Sequence, residues 1–335
     1  MMRAPRFWSN PPDRPGLLAR LLSPLGALYA AATARRVARA PDWRAPVPVI
    51  CIGNLTAGGA GKTPTAIAVL ERLSAMGIDA HAVTRGHGGT AGRAGVPHRV
   101  SMTDDPALTG DEPQLLAAFA TVWVSADRAA GARAAVAAGA GAVVLDDGFQ
   151  NPGLAKDLSI LVVDAETGFG NGRPIPAGPL REHVPAGLAR ADAVALLGAE
   201  GARARTLAQW PALSARPVLA GRVVPRDIGI DWAGQRVVAF AGIARPEKFF
   251  ATLRGLGADV VAAHGFPDHA PFPPRALRRL SAEAARAGAM LVTTEKDAVR
   301  LPASFRGRAM PLPVHLEWQD DAALDAVLAP LFAKG

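Results

Sequence analysis

Gly53-Asn54-Leu55-Thr56-Ala57-Gly58-Gly59-Ala60-Gly61-Lys62-Thr63-Pro64 decides the reading of this chain. An apolar, β-branched run, Val47-Pro48-Val49-Ile50-Cys51-Ile52, precedes it and reads as a buried strand. Thr65-Ala66-Ile67-Ala68-Val69-Leu70-Glu71-Arg72-Leu73 follows and reads as a helix. Strand, glycine loop, Lys-Thr and helix form the layout of a phosphate-binding loop. Glycines let backbone N–H groups turn toward phosphate oxygens, and the helix start adds partial positive charge. Residues Thr56, Ala57, Gly58, Gly59, Ala60, Gly61, Lys62 and Thr63 are the expected nucleotide contacts. Lys62 can reach the β- and γ-phosphates, and the Thr63 hydroxyl can hold Mg²⁺. One position departs from the general G-x-x-x-x-G-K-[ST] pattern: Thr56 stands where the first glycine belongs.

The chain has 335 residues, half of them hydrophobic, enough for two domains or one large one with an appendage. Its only cysteine, Cys51, lies in the expected buried strand, so no internal disulfide forms and a reducing compartment fits. The net charge is +8, but +6 of it falls before Cys51, on eight arginines opposed by Asp13 and Asp42. Basicity therefore belongs to the N-terminal segment, and no nucleic-acid partner is expected.

That segment is also apolar over residues 17–34. Arg20 and Pro24 interrupt it, against a spanning helix of about 20 apolar residues. Ala30 to Ala34 imitates a signal-peptide cleavage site, but Pro11-Pro12-Asp13 and Arg20 do not suit one. An ordinary core helix competes with an interfacial helix pair, whose Arg20, Arg35, Arg36 and Arg39 would meet anionic headgroups. The interfacial reading is preferred.

Further on, strands alternate with helices: strands over 79–84, 121–124, 141–146 and 158–164, helices over 111–120 and 128–138, and a turn-rich loop over 90–110. This alternation predicts a parallel sheet covered on both faces. After the extended links near 217–231, a second α/β unit follows, with strands near 237–241, 260–261 and 290–293, and an amphipathic last helix over 320–332. The expected domains are a basic amphipathic segment over 1–44, a nucleotide-binding domain over 45–222 and a smaller α/β domain over 223–335.

Asp146 closes an apolar strand, where a carboxylate can hold Mg²⁺ near Thr63. Asp147 doubles the acid, and two adjacent carboxylates repel unless a cation sits between them. In the stiff loop Pro176-Ala177-Gly178-Pro179-Leu180-Arg181-Glu182, Arg181 can clamp a phosphate and Glu182 can complete a metal shell; a surface salt bridge is the plainer alternative. Phe266-Pro267-Asp268-His269 and Thr293-Thr294-Glu295-Lys296-Asp297 each follow a strand of the second unit, so both face one sheet edge.

The ordered set of motifs resembles the tetraacyldisaccharide 4′-kinase (lipid A 4′-kinase) family. It comprises residues 53–64, Thr84-Arg85-Gly86, Gly110-Asp111-Glu112-Pro113, Asp146-Asp147-Gly148-Phe149-Gln150, residues 176–182, Phe240-Ala241-Gly242-Ile243-Ala244, Phe266 to His269 and Thr294-Glu295-Lys296-Asp297. Thr56 is what that family carries in the loop. The resemblance implies a P-loop NTPase-like α/β fold, a smaller second α/β domain and an N-terminal amphipathic membrane-interface segment. It implies an enzyme on the cytoplasmic face of the bacterial inner membrane that uses ATP and Mg²⁺. The acceptor would be the 4′-hydroxyl of an acylated glucosamine disaccharide 1-phosphate. By the same resemblance Asp111 is the catalytic base and His269 its partner, with Lys62 at the phosphates. Asp146, Asp147 and Glu182 surround Mg²⁺ with Thr63, and Arg128 and Arg181 contact phosphate. Two positions depart from the family: His87 stands for a tyrosine and Asn151 for a histidine.

A regulatory GTPase or ATP-driven membrane switch shares the Lys-Thr loop. A guanine reader needs Asn/Thr-Lys-x-Asp, and in Thr294-Glu295-Lys296-Asp297 the lysine comes one place late.

Overall fold

A computed structural model describes residues 4–92, 95–268 and 270–333. Its strands are β1 Val49–Gly53, β2 Ala80–Thr84, β3 His98–Arg99, β4 Val122–Val124, β5 Ala142–Asp146, β6 Leu158–Asp164, β7 Ala193–Leu197, β8 Val218–Pro225, β9 Arg236–Ala241, β10 Asp259–Gly265, β11 Met290–Thr294, β12 Met310–Leu312 and β13 Val314–Trp318. The larger sheet has the order β13-β8-β7-β6-β1-β5-β2-β4-β3. It is parallel except for its two edges, β3 against β4 and β13 against β8.

Alternation along the central strands explains why both faces are covered. Ile50, Ile52, Val144, Ile160 and Val162 point to one side, against Ala66, Val69, Leu70 and Leu73 of helix Lys62–Ala75. Cys51, Val143, Leu145, Leu161 and Val163 point to the other, against Ala132 and Ala135 of helix Arg128–Ala137. The smaller sheet, β10-β9-β11-β12, is all parallel. Helix Pro246–Gly255 covers one of its faces and helix Pro274–Ala287 the other.

The second unit does not run to the C-terminus, as the boundaries 223–335 require. The chain leaves through β8 and returns through β13, which pairs antiparallel with it from Val314↔Pro225 to Trp318↔Gly221. Helix Asp321–Leu328 then buries Leu324 and Leu328 in the larger core. Arg72 grips both carboxylate oxygens of Asp325, fixing that helix against Lys62–Ala75. The physical reason is burial: the apolar face of the last helix finds its complement on the first sheet. The loop expected over 90–110 contains the edge strand β3 and the short helix Pro106–Thr109, capped by Asp105.

At the N-terminus the expected helix pair is one helix, Leu17–Val37, continuing through Pro24. It is long and apolar enough to cross a membrane by length and composition. Its small residues Ala19, Gly26, Ala30 and Thr33 are buried against the protein. Leu17, Leu18, Leu21, Leu25 and Leu28 face outward and are more than half exposed. Arg173 donates to Ser23 Oγ at 2.7 Å, tying this helix to the loop that continues into Arg181 and Glu182.

Gly26 sets how closely helix and loop approach. A Cβ there would stand 2.9 Å from the carbonyl oxygen of Pro174. Gly26→Leu is therefore expected to lift the helix at a cost of about 1–3 kcal/mol. Denaturant unfolding in detergent should report that loss, with faster proteolysis after residue 37; unchanged stability would contradict this packing.

Candidate active site

The glycine loop joins β1 to helix Lys62–Ala75 at the carboxyl edge of the larger sheet, where open α/β sheets bind ligands. Gly58 and Gly61 have φ of 126° and 91°, a region that favours glycine. Gly61 is also spatially fixed: a Cβ would lie 2.6 Å from Leu197 Cδ1. Thr56 is no defect in this loop. It forms an antiparallel bridge with Leu180, and its hydroxyl accepts from Asn54 Nδ2 at 3.2 Å. Asn54 is fully buried, and its Oδ1 accepts from Lys62 Nζ at 3.3 Å. One amide side chain thus holds both Thr56 and the loop lysine.

Ile52 of β1 stands beside Asp146 of β5 in the parallel register. Asp146 is 1 % exposed, and neither carboxylate oxygen has a hydrogen-bond partner among the described residues. Burial pushes its pKa up to about 7, with Glu112 and Asp147 adding to the rise and Lys62 and Lys296 opposing it. A buried carboxylate with both oxygens open suits a cation. Asp147 has φ 56°, in the left-handed region. Its Oδ1 accepts from Arg181 Nη1 at 2.8 Å and lies 3.7 Å from Lys62 Nζ. Burial works against its ionisation, but Lys62 and Arg181 hold the carboxyl below its usual range.

The expected metal shell of Thr63, Asp146, Asp147 and Glu182 is not assembled. Glu182 is buried and accepts from Arg190 at 2.8 Å and from Gln150 Nε2 at 2.9 Å. With Asp147 on Lys62 and Arg181, both acids already neutralise cations. No group of three or more His, Cys, Asp or Glu suited to a metal occurs among the described residues. The donors left are the Asp146 carboxylate and the Thr63 hydroxyl. That small set fits Mg²⁺, which usually takes one or two carboxylates and completes its shell with phosphates and water.

Arg128 is 4 % exposed, and burial lowers its pKa. Nη1 donates to the Ser125 carbonyl at 2.6 Å, while Nε has no partner among the described residues. Its charge is felt by both Asp146 and Asp147, so it belongs to the same cluster. Arg181 also reaches Gln150 Oε1 at 3.3 Å, so a phosphate contact there competes with Asp147 and Gln150.

Asp111 opens the short helix Asp111–Leu116 and is 5 % exposed. Across from it stands helix Glu295–Arg300 of the second unit. Lys296 Nζ lies 2.6 Å from Glu112 Oε1, and Arg300 Nε 3.7 Å from Asp111 Oδ2. The two sheets therefore turn their carboxyl edges toward each other, with Asp111 between them. His269, the expected partner of Asp111, lies outside the described residues.

The family model "LpxK: Tetraacyldisaccharide-1-P 4'-kinase" matches residues 18–333. This chain belongs to that family. A relative in Dinoroseobacter shibae, named tetraacyldisaccharide 4'-kinase, is 58 % identical over 99 % of this chain and 98 % of its own length. One in Rhodospirillum centenum, with the same name, is 56 % identical over 99 % and 97 %. The crystal structure of LpxK from Aquifex aeolicus in complex with ATP aligns with a TM-score of 0.75 at 24 % identity, over 94 % of this chain and all of that one. That likeness supports the α/β fold.

Several site residues of this family member escaped motif reading. Motif spacing shows no role for Asn54 or Gln150, yet Gln150 Nε2 joins the Asn54 carbonyl at 2.9 Å to Glu182. Glu112 and Lys296 lie within family motifs and Arg300 outside them, and nothing local marks the three as partners across the two units.

The Asp146 shift has a consequence for stability. Its folded carboxyl keeps its proton up to about pH 7, whereas an unfolded aspartate releases it near 3.9. Between these values the native state binds more protons, so this group's contribution to stability falls as pH rises. Without nucleotide or metal, Asp146→Asn is expected to match the wild type at pH 4 and to melt about 4 °C or more above it at pH 8. Thermal melts across pH in chelator test this; a difference that does not depend on pH would refute the burial argument.

Proposed function

We propose that the protein transfers the γ-phosphoryl group of ATP to the 4′-hydroxyl of a tetraacyldisaccharide 1-phosphate, giving the 1,4′-bisphosphate precursor of lipid A. The observation that carries this reading is the family match over residues 18–333, on a fold whose phosphate loop adjoins the open Asp146 carboxylate. ATP is the nucleotide in the LpxK crystal structure of similar fold. Thr63 and Asp146 would hold Mg²⁺, whose chemistry is to neutralise charge on the phosphate oxygens.

The chain's own residues supply position and charge, which carry most of a loose phosphoryl transfer. Backbone N–H groups over 58–61 cradle the phosphates, while that of Ala57 is donated to the Pro179 carbonyl at 2.7 Å. Lys62, held by Asn54, reaches the phosphoryl oxygens. Arg128 and Arg181 meet charge that builds as the bond to the leaving diphosphate lengthens. Asp111 orients the acceptor hydroxyl and takes its proton as the new P–O bond forms; a sugar alcohol has so high a pKa that the transfer comes late. His269 would partner Asp111 there.

The outward leucines of Leu17–Val37 fit an acceptor whose acyl chains stay in a bilayer. Arginines and apolar residues on that segment support a place at the cytoplasmic face of the inner membrane, beside the ATP supply. A guanine-reading switch is the weaker reading. Asp297 is wholly buried and accepts from Gly242 N–H with both oxygens, so it is committed to the protein itself.

Asp111→Ala should lower turnover about a hundredfold or more while ATP affinity changes less than about threefold. Radiolabelled ATP turnover with the acylated disaccharide 1-phosphate, and equilibrium ATP binding, measure both; near-normal turnover would remove the base assignment. Replacing Leu21 and Leu28 together by Glu should leave the melting temperature unchanged. It should lower recovery on vesicles of phosphatidylglycerol and phosphatidylethanolamine, and unchanged recovery would count against the docking role.

A further inference from the structure

The geometry points to Arg300 as a positioning residue, by which the second unit holds Asp111 in place for phosphoryl transfer. This rests on the reading of Asp111 as the base. Arg300 is carried by helix Glu295–Arg300, and its side chain is 9 % exposed. Nη1 donates to the Ala270 carbonyl at 3.1 Å, and Nη2 donates to the Gly242 carbonyl at 2.7 Å and to Asp297. The guanidinium also lies over the Phe272 ring, 5.4 Å from its centroid. Every one of these neighbours belongs to the second unit.

Nε is different. It is buried, has no hydrogen-bond partner among the described residues, and sits 3.7 Å from Asp111 Oδ2 in the first unit. At that distance the contact is one of charge rather than a hydrogen bond. The planar fork is thus fixed from behind, and Nε stands beside the carboxylate. Asp297, which takes part of the positive charge, is itself fixed by Gly242 N–H and by Thr294 Oγ1 at 2.6 Å. A rigid arginine on a rigid frame is what precise placement of a neighbouring carboxylate requires.

The arrangement links placement of the base to the seating of the second unit. Lys296 on Glu112 stands beside it, also across the boundary. When the two units separate, Asp111 loses the cation that Arg300 presents. Arg300 does not touch the reacting atoms; it acts through Asp111.

A double-mutant cycle on the full-length protein in detergent micelles, with ATP and the acylated disaccharide 1-phosphate, tests this. Arg300→Met is expected to lower kcat about tenfold to a hundredfold, part of what a general base supplies, with the KM for ATP within about twofold. Arg300→Lys should recover some of the loss, because it restores charge without the fork. In an Asp111→Asn background, Arg300→Met should cost less than about twofold more, since the residue through which it acts is gone. Equal losses in both backgrounds would overturn the proposal and leave Arg300 as a brace of the second unit. Near-normal turnover of Asp111→Asn alone would instead remove the base reading, and the proposal with it. If Arg300→Met does not fold because Asp297 is left unpaired, Arg300→Gln combined with Asp297→Asn removes both charges and the same cycle applies.

Discussion

Strand β1 is paired on one edge to β5 and on the other to β6, and all five of its residues are buried. Such a strand has no freedom to slip, because a shift of one residue would send every side chain to the wrong face. Fixing β1 fixes where the glycine loop emerges. The parallel register then puts Asp146 at the same edge, and the left-handed turn at Asp147 sends the next carboxylate toward Lys62 and Arg181. Opposite charges thus gather at one edge without side chains having to stretch. Among the described residues of this edge, Asp146 keeps both oxygens open, a buried carboxyl that burial holds toward its neutral form.

What could be read beforehand was what local sequence encodes. The glycine loop, the apolar strands ending in acid and the alternation with helices each depend on neighbours a few residues apart. Those patterns mark the loop lysine and Asp146 as candidates, and the family resemblance marks Asp111. Partnerships over long separations were hidden. A carboxylate attracts a metal ion and an arginine alike, so residue type could not tell that Asp147 and Glu182 are held by Arg181 and Arg190. Val314 to Trp318 is short and half exposed, and its place beside β8 depends on burial of a helix that comes after it. Arg300 looks like a favourable cation in the last turn of a helix, and only folding sets it against Asp111.

Ion pairs among the described residues cross the boundary between the two units: Lys296 with Glu112, Arg300 with Asp111 and Arg245 with Asp164. Ion pairs can part where an apolar seam would resist separation, because each partner can return to water. The same groups lie within electrostatic reach of the open carboxylate, since both Glu112 and Lys296 act on Asp146. Seating of the second unit and the charge state beneath the phosphate loop are therefore one electrostatic problem.

The antiparallel pairing of β8 with β13 bears on how such a molecule can be assembled. Arg226 N–H donates to the Pro313 carbonyl at 2.8 Å, so the points where the chain departs and comes back are adjacent. In topological terms the whole second unit is a greatly enlarged hairpin loop. A segment with neighbouring ends can be gained, lost or exchanged without rethreading the sheet that carries it. The nucleotide-binding layer and the layer that faces it can then vary separately over descent, provided the few charged residues along their shared edge keep matching.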